Sequence, residues 1–350
     1  MTSSVKLTHA STTRLKLSMS PFLQPDYAGI PNLTGPSFSF LIEHPSGKTV
    51  LFDLGVRHDW QKLPSYPKFR KMAWGITVQK DVARILEEGN IDIANGAISS
   101  IILSHHHWDH TGDPSTFPSS TGLVVGPGFK EAHLPGYPEN PDATLLKSDY
   151  EGREMREIDF SDSLEIGRFK AHDFFGDGSF YLLDTPGHSI GHMCGLARTT
   201  TAPATFVFMA GDASHHAAEF RPTEYLPLPR EPGISAEHSG MDFQNVHYSK
   251  SVIKPFYNVT TSFAHDKKLA DWTIAGMGEF DCQDNILLLT AHDEHVVEPE
   301  PIISFFPEAL NDWHEKGLGK KTKWLFLKDF EKAIGTRYAF EAHFTWREYP

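Results

Sequence analysis

The chain has 350 residues and a formal net charge of −13. That acidity argues against a basic nucleic-acid-binding face, and no apolar run approaches the roughly 18 residues of a membrane span. Two cysteines, Cys194 and Cys282, are too few for a disulfide framework and fit a reducing, cytoplasmic compartment. The N-terminal stretch has no apolar signal-peptide core, although its Ser, Thr, Lys and Arg content, free of acids up to Asp26, faintly resembles a transit peptide.

In chain order, SFSFLIEHPSGKTVLFDLG (37–55) predicts two strands around Pro45-Ser46-Gly47, the second ending at Asp53-Leu54-Gly55. TVQKDVARILEEGNID (77–92) predicts a helix. Thr77 is its expected N-cap, Val78, Val82, Ile85 and Leu86 its apolar face, and Gly89 its stop. Ile98, Ile101, Ile102 and Leu103 then form an apolar strand running straight into LSHHHWDHTGD.

The same arrangement recurs. GLVVGPG (122–128) reads as a buried strand. Three further apolar strands end in Thr185-Pro186-Gly187-His188, in Gly211-Asp212 and in His292-Asp293. Loops at strand ends are where a sheet can fix reactive side chains in place. Residues 217–250 are rich in Pro, Gly and charge and predict a long surface excursion, with a helical pair expected around 248–277. Helices are expected near 307–316 and 326–334. The whole reads as one domain, 1–350, with the irregular, substrate-shaping excursion at about 217–280.

The donors of His105-x-His107-x-Asp109-His110 can turn into one small volume where a strand gives way to a tight loop. Imidazole and carboxylate are ligands for zinc and its neighbours. With His188, Asp212 and His292 the chain offers seven donors, which suits two cations better than one. His105, His107 and His188 would hold the first, and Asp109, His110 and His292 the second, with Asp212 bridging them. Two such cations about 3.5–4 Å apart turn a shared water into a hydroxide nucleophile and polarise a carbonyl.

This ordered set resembles the metallo-β-lactamase superfamily, with Asp53 standing where that family has an aspartate ending an early strand. The resemblance implies a four-layer αβ/βα sandwich of two mixed sheets with outer helices and a dinuclear site, most often zinc, at one edge. DTPGHSIGH and AHDEH are most similar to the N-acyl homoserine lactonase branch. That branch places a substrate-binding tyrosine three residues after the bridging aspartate, whereas this chain has His215 there.

The implied activity is opening of a lactone, or cleavage of an ester, by a metal-bound hydroxide. His215 would donate to the oxyanion and Asp109 would shuttle a proton to the leaving oxygen. Thioester hydrolysis on the same site is the alternative, and a diiron redox role lacks a flavin segment. The expected partner is a small-molecule lactone, ester or thioester, with neither nucleic acid nor membrane, and the oligomeric state is left open.

The remaining polar residues carry blander expectations. His106 and Trp108 are expected to pack, Asp53 to support ligands from behind or to be structural, His192 to support a ligand or start a helix, and His216 to be exposed. His292 is preferred to His295 as the ligand, and Asp212 doubles as a possible helix N-cap. Residues 20–28 and 220–230 are expected to supply an apolar wall.

Overall fold

The computed structural model describes residues 3–11, 13–71, 74–161 and 164–336. Six strands form the first sheet in sequence order: β1 Lys6–Ala10, β2 Ser39–Glu43, β3 Thr49–Phe52, β4 Ser100–Ile102, β5 Gly122–Val125 and β6 Met155–Glu157. The first three pair antiparallel, and β3 through β6 pair parallel. Six more form the second sheet: β7 Glu165–Ile166, β8 Phe169–Asp173, β9 Phe180–Asp184, β10 Met193–Thr201, β11 Ala204–Met209 and β12 Ile286–Leu289. Only its last pair, β11 with β12, is parallel.

The period-2 alternation of strand side chains assembles the layers. Val50 and Phe52 of β3, Ile102 of β4 and Val124 of β5 point inward to meet Val207 and Met209 of β11 and Leu287 and Leu289 of β12. Their neighbours Leu51, Ile101, Leu123 and Val125 point outward onto helix α1, Val82–Glu88, through Val82, Ala83 and Leu86. On the far side, Phe208 and Leu288 pack outward against Ile274, Met277 and Phe280 of a long helix, Lys267–Asp281. The result is helix, sheet, sheet, helix, as the resemblance implied. Among the described residues no helix is long and apolar enough to cross a membrane.

Several expectations are corrected. At the N-terminal end Lys6–Ala10 is β1, and Thr13–Ser18 pairs with Asn32–Gly35 and Gly75–Val78 in a small sheet. Thr77 lies in that sheet, and Asp81 caps α1 instead by accepting from the Arg84 amide at 2.9 Å. No helix occupies 307–316. There Asn311 bonds the backbone of Val5, Leu7 and Thr199, so the segment is tied to strand edges rather than to its own turns.

Helical structure comes later, at Leu318–Thr322, at Leu325–Phe330 and over 331–336. The expected pair at 248–277 is one helix, Lys267–Asp281, because Asn258–Val259 is drawn into strand pairing with Leu23–Gln24. A different short helix, Gly240–Val246, precedes it.

Candidate metal centre

The loop after β4 starts at Leu103 and enters a single helical turn, α2, Trp108–Thr111. His107 stands at its N-terminal boundary, so His105 and His107 precede the turn while Asp109 and His110 lie within it. The loop after β9 brings in His188, the loop after β11 Asp212, and the loop after β12 His292. Two sets of donor atoms result, each within 4.8 Å: His105, His107, His188 and Asp212, and Asp109, His110, Asp212 and His292. These are the seven residues expected from the sequence, in the expected division.

The distances suit cations. His188 Nε2 is 3.2 Å from His105 Nε2 and 3.0 Å from His107 Nδ1. Tetrahedral ligands bound at roughly 2.0–2.1 Å stand about 3.3 Å apart. Asp212 faces both ways. Its Oδ2 lies 3.6 Å from both His105 Nε2 and His188 Nε2. Its Oδ1 lies 3.0 Å from His110 Nε2 and 2.9 Å from His292 Nε2. Asp109 Oδ2 completes the second set at 3.6 Å from His292 Nε2. Histidine and carboxylate donors of this kind fit zinc, and equally manganese, iron or cobalt.

Several of these donors are held by a partner behind them. The strand-terminal Asp53 holds the left-handed region, φ 60°. From there its carboxylate takes the Ser104 amide and hydroxyl at 2.7 Å and His110 Nδ1 at 2.8 Å. His110 therefore donates from Nδ1 and turns its Nε2 lone pair inward. His292 Nδ1 donates to the Pro36 carbonyl at 2.7 Å, with the same effect. His192 Nε2 accepts from the Asp212 amide at 3.2 Å, which places the bridging carboxylate. Replacing Asp53 with alanine is expected to weaken metal binding roughly 10–100-fold while the fold persists, measured by zinc titration and circular dichroism.

Burial, the largest cause, holds His105 and His188 well below the ordinary histidine value, and it brings His107 down to about 3. These rings are neutral at pH 7, the form a cation requires. His110 and His292 go the other way. Burial opposes their protonation, but Asp212, with Asp53 and Asp109 beside His110 and Asp109 beside His292, outweighs it. A cation in the second set must displace those protons, so its affinity falls with acid.

The centre opens into a cavity of about 130 Å³ lined by Leu17, Phe22, Trp74, Trp108, Phe263 and His215. Trp108 thus packs, stacked on Trp74, and is also a wall. Phe22 supplies the wall expected from 20–28, whereas Phe220, Thr223, Glu224 and Tyr225 line a separate cleft against the long helix. His215 is buried, and neither ring nitrogen has a hydrogen-bond partner, although Nε2 is 3.3 Å from Asp212 Oδ2. Its ring meets Phe22 and Phe263.

The turn carrying His215 is fastened by Glu219 Oε2, which takes the Ser214 hydroxyl and the amides of His215 and His216. Gly187, at φ 128°, lets the His188 turn meet the long helix: a Cβ there would stand 2.1 Å from the Ala270 nitrogen. The His265 and Asp266 amides bond the carbonyls of His188 and Gly187, so the end of the excursion braces the first donor set.

His106 stacks on His133 outside both sets, as expected. His216 is not exposed: it is buried against Phe326 and Phe330 and bonds Asp329. Asp212 caps no helix, since the short 3-10 turn Ala217–Glu219 begins after His216. Ser104, Glu219, Trp74 and Phe263 were not foreseen. Ser104 adjoins the histidine run and could have been flagged, but the other three carry no local signal.

A two-sheet sandwich with this doubled histidine–aspartate cluster at the strand ends is the architecture of a metal-dependent hydrolase. The model for the metallo-beta-lactamase superfamily matches residues 33–234, and the chain belongs to that superfamily.

The chain is 43% identical over 328 residues to the gamma-lactamase FDB1 of Fusarium pseudograminearum, covering 89% of this chain and 78% of that protein. It is 42% identical over 328 residues to the metallo-hydrolase mfmC of Annulohypoxylon moriforme, covering 92% and 86%. It is also 44% identical to the mpaDE monooxygenase of Penicillium roqueforti, of which it spans 37% and which matches 93% of this chain. Among solved structures, a quorum-quenching N-acyl homoserine lactone hydrolase shares the fold. Its TM-score is 0.57 at 19% identity, covering 88% of this chain and 100% of that one.

Proposed function

We propose that the chain opens a lactone, or cleaves a closely related ester, at the doubled donor site. One observation carries the reading: Asp212 turns one carboxylate oxygen to each donor set, at the floor of a cavity walled by aromatic side chains. Two divalent cations held there, zinc being the first choice, would supply the Lewis acidity that acidifies a water and polarises a carbonyl oxygen.

The chain's own residues do the rest. Phe22, Trp74, Trp108 and Phe263 exclude water and seat the apolar part of the substrate. His215, with no hydrogen bond on either ring nitrogen, donates one to the carbonyl oxygen as charge builds there. Asp109, which lines the cavity with its Oδ2 3.6 Å from His292 Nε2, is placed to carry a proton to the leaving oxygen. The gamma-lactamase relatives place γ-lactams next to lactones as substrates to try. A reducing, cytoplasmic setting belongs to the same reading, since both cysteines are free.

The test is a panel of lactones, esters, γ-lactams and thioesters with metal-loaded protein. Lactone turnover is expected, abolished in His107→Ala. Thiol release without lactone opening would move the assignment to thioester hydrolysis. No turnover of any lactone or ester would end this reading.

A further inference from the structure

We propose that Asp329, on the C-terminal segment, is a positioning residue for the second donor set. It acts through the two loops that carry Asp212 and His292. His216 follows Asp212 by four residues and His295 follows His292 by three. Asp329 takes one histidine on each oxygen: His216 Nε2 at 2.8 Å on Oδ2 and His295 Nε2 at 3.2 Å on Oδ1. His216 Nδ1 accepts from the Ala218 amide at 3.1 Å, so its Nε2 bears the proton and donates to Asp329.

The carboxylate is itself well anchored. Phe326, Leu327 and Phe330 of its segment are buried in the core, with Phe326 and Phe330 edge-on to the His216 ring. Asp329, His216, His295 and His292 line one small void of about 20 Å³, and His292 also lines the substrate cavity. Asp329 therefore spans from behind the same two loops whose donors meet in front, where Asp212 Oδ1 stands 2.9 Å from His292 Nε2.

That contact belongs to the second donor set. The first set shares only Asp212 with it and draws His105, His107 and His188 from other loops. Releasing the fork should therefore weaken the second cation and spare the first. Asp329, like His292 and His295, lies beyond residues 33–234 matched by the family model.

The inference rests on the two-cation reading, and zinc titration of apo-protein against a chromophoric chelator separates the two. Wild type should take up two zinc ions. Asp329→Ala should leave the first within about twofold and weaken the second by roughly tenfold or more. Asp329→Asn, whose amide oxygen still accepts from His216, should fall between.

If Asp329→Ala fails to fold, His295→Gln, which loosens one arm only, must show the same selective weakening. Equal weakening of both ions, or an unchanged second ion beside a lowered Tm, would reduce Asp329 to a structural role and overturn the proposal. One zinc ion in the wild type would overturn the two-cation reading, and this inference with it.

Discussion

Asp212→Asn is expected to lower the metal content from two equivalents toward one and to cut hydrolysis by about a thousandfold or more. The geometry gives the reason. Oδ1 approaches His110 and His292 at 3.0 and 2.9 Å, while Oδ2 faces His105 and His188 at 3.6 Å. Asparagine keeps one oxygen and replaces the other with an NH2 donor, which repels a cation. The amide can serve either set but not both. A second cation contributes several kcal/mol of charge stabilisation, and about 1.4 kcal/mol is a factor of ten in rate.

His192 keeps its hydrogen bond from the Asp212 backbone amide in the variant, so the loop stays in place and the loss is one of charge. Metal analysis of freshly purified protein beside kcat is the check. Two tightly held metals in the variant would remove Asp212 from the bridging role.

Arg221→Ala is expected to destabilise the protein by about 3–5 kcal/mol in urea unfolding. Arg221 and Asp281 are 5% and 1% exposed and form a two-pronged pair at 2.7 and 2.6 Å. The third arm of the guanidinium donates to the Lys323 carbonyl at 2.7 Å, and the Lys323 ammonium returns to Asp281 at 3.2 Å. The cluster thus fastens three pieces: the turn after the His215 loop, the end of the long helix and the start of the C-terminal segment.

Burial works against the Asp281 charge, and Arg221 followed by Lys323 outweighs it, holding the carboxyl below its usual value. Removing the arginine leaves Asp281 buried with only a lysine beside it. The triple variant Arg221→Met, Asp281→Leu, Lys323→Met should recover most of the loss, because well-packed apolar side chains then replace the whole buried charge cluster at little net cost. A single variant within about 1 kcal/mol of wild type would show that the cluster adds no net stability.

How much of this was legible in the sequence depends on distance along the chain. Within His105 to His110 the whole pattern sits in one strand-to-helix turn, and local spacing alone decides which side chains can converge. The apolar strands ending in His188, Asp212 and His292 were equally plain, since a short apolar run followed by a Gly or Thr turn is a local signal. His106 was placed outside the donor sets by the same alternation that selected its neighbours.

The misreadings share one cause. His216 looked like an exposed loop residue, but its partner Asp329 is 113 positions away. The helix expected at 307–316 gave way because Asn311 satisfies backbone groups of strands more than a hundred residues distant. Thr77 lost its capping role to a strand pairing with Arg14.

By itself, then, the sequence determined the candidate donors, their order and the strands that deliver them, because each of these is written in residue type and short-range periodicity, whereas the two-sheet class entered only through the resemblance to the superfamily. Tertiary structure alone decided which oxygen of Asp212 faces which histidines, which aromatics wall the cavity, and that the C-terminal segment reaches the back of the site. Those follow from contacts across long loops, whose closure depends on the packing of the entire core rather than on any local propensity.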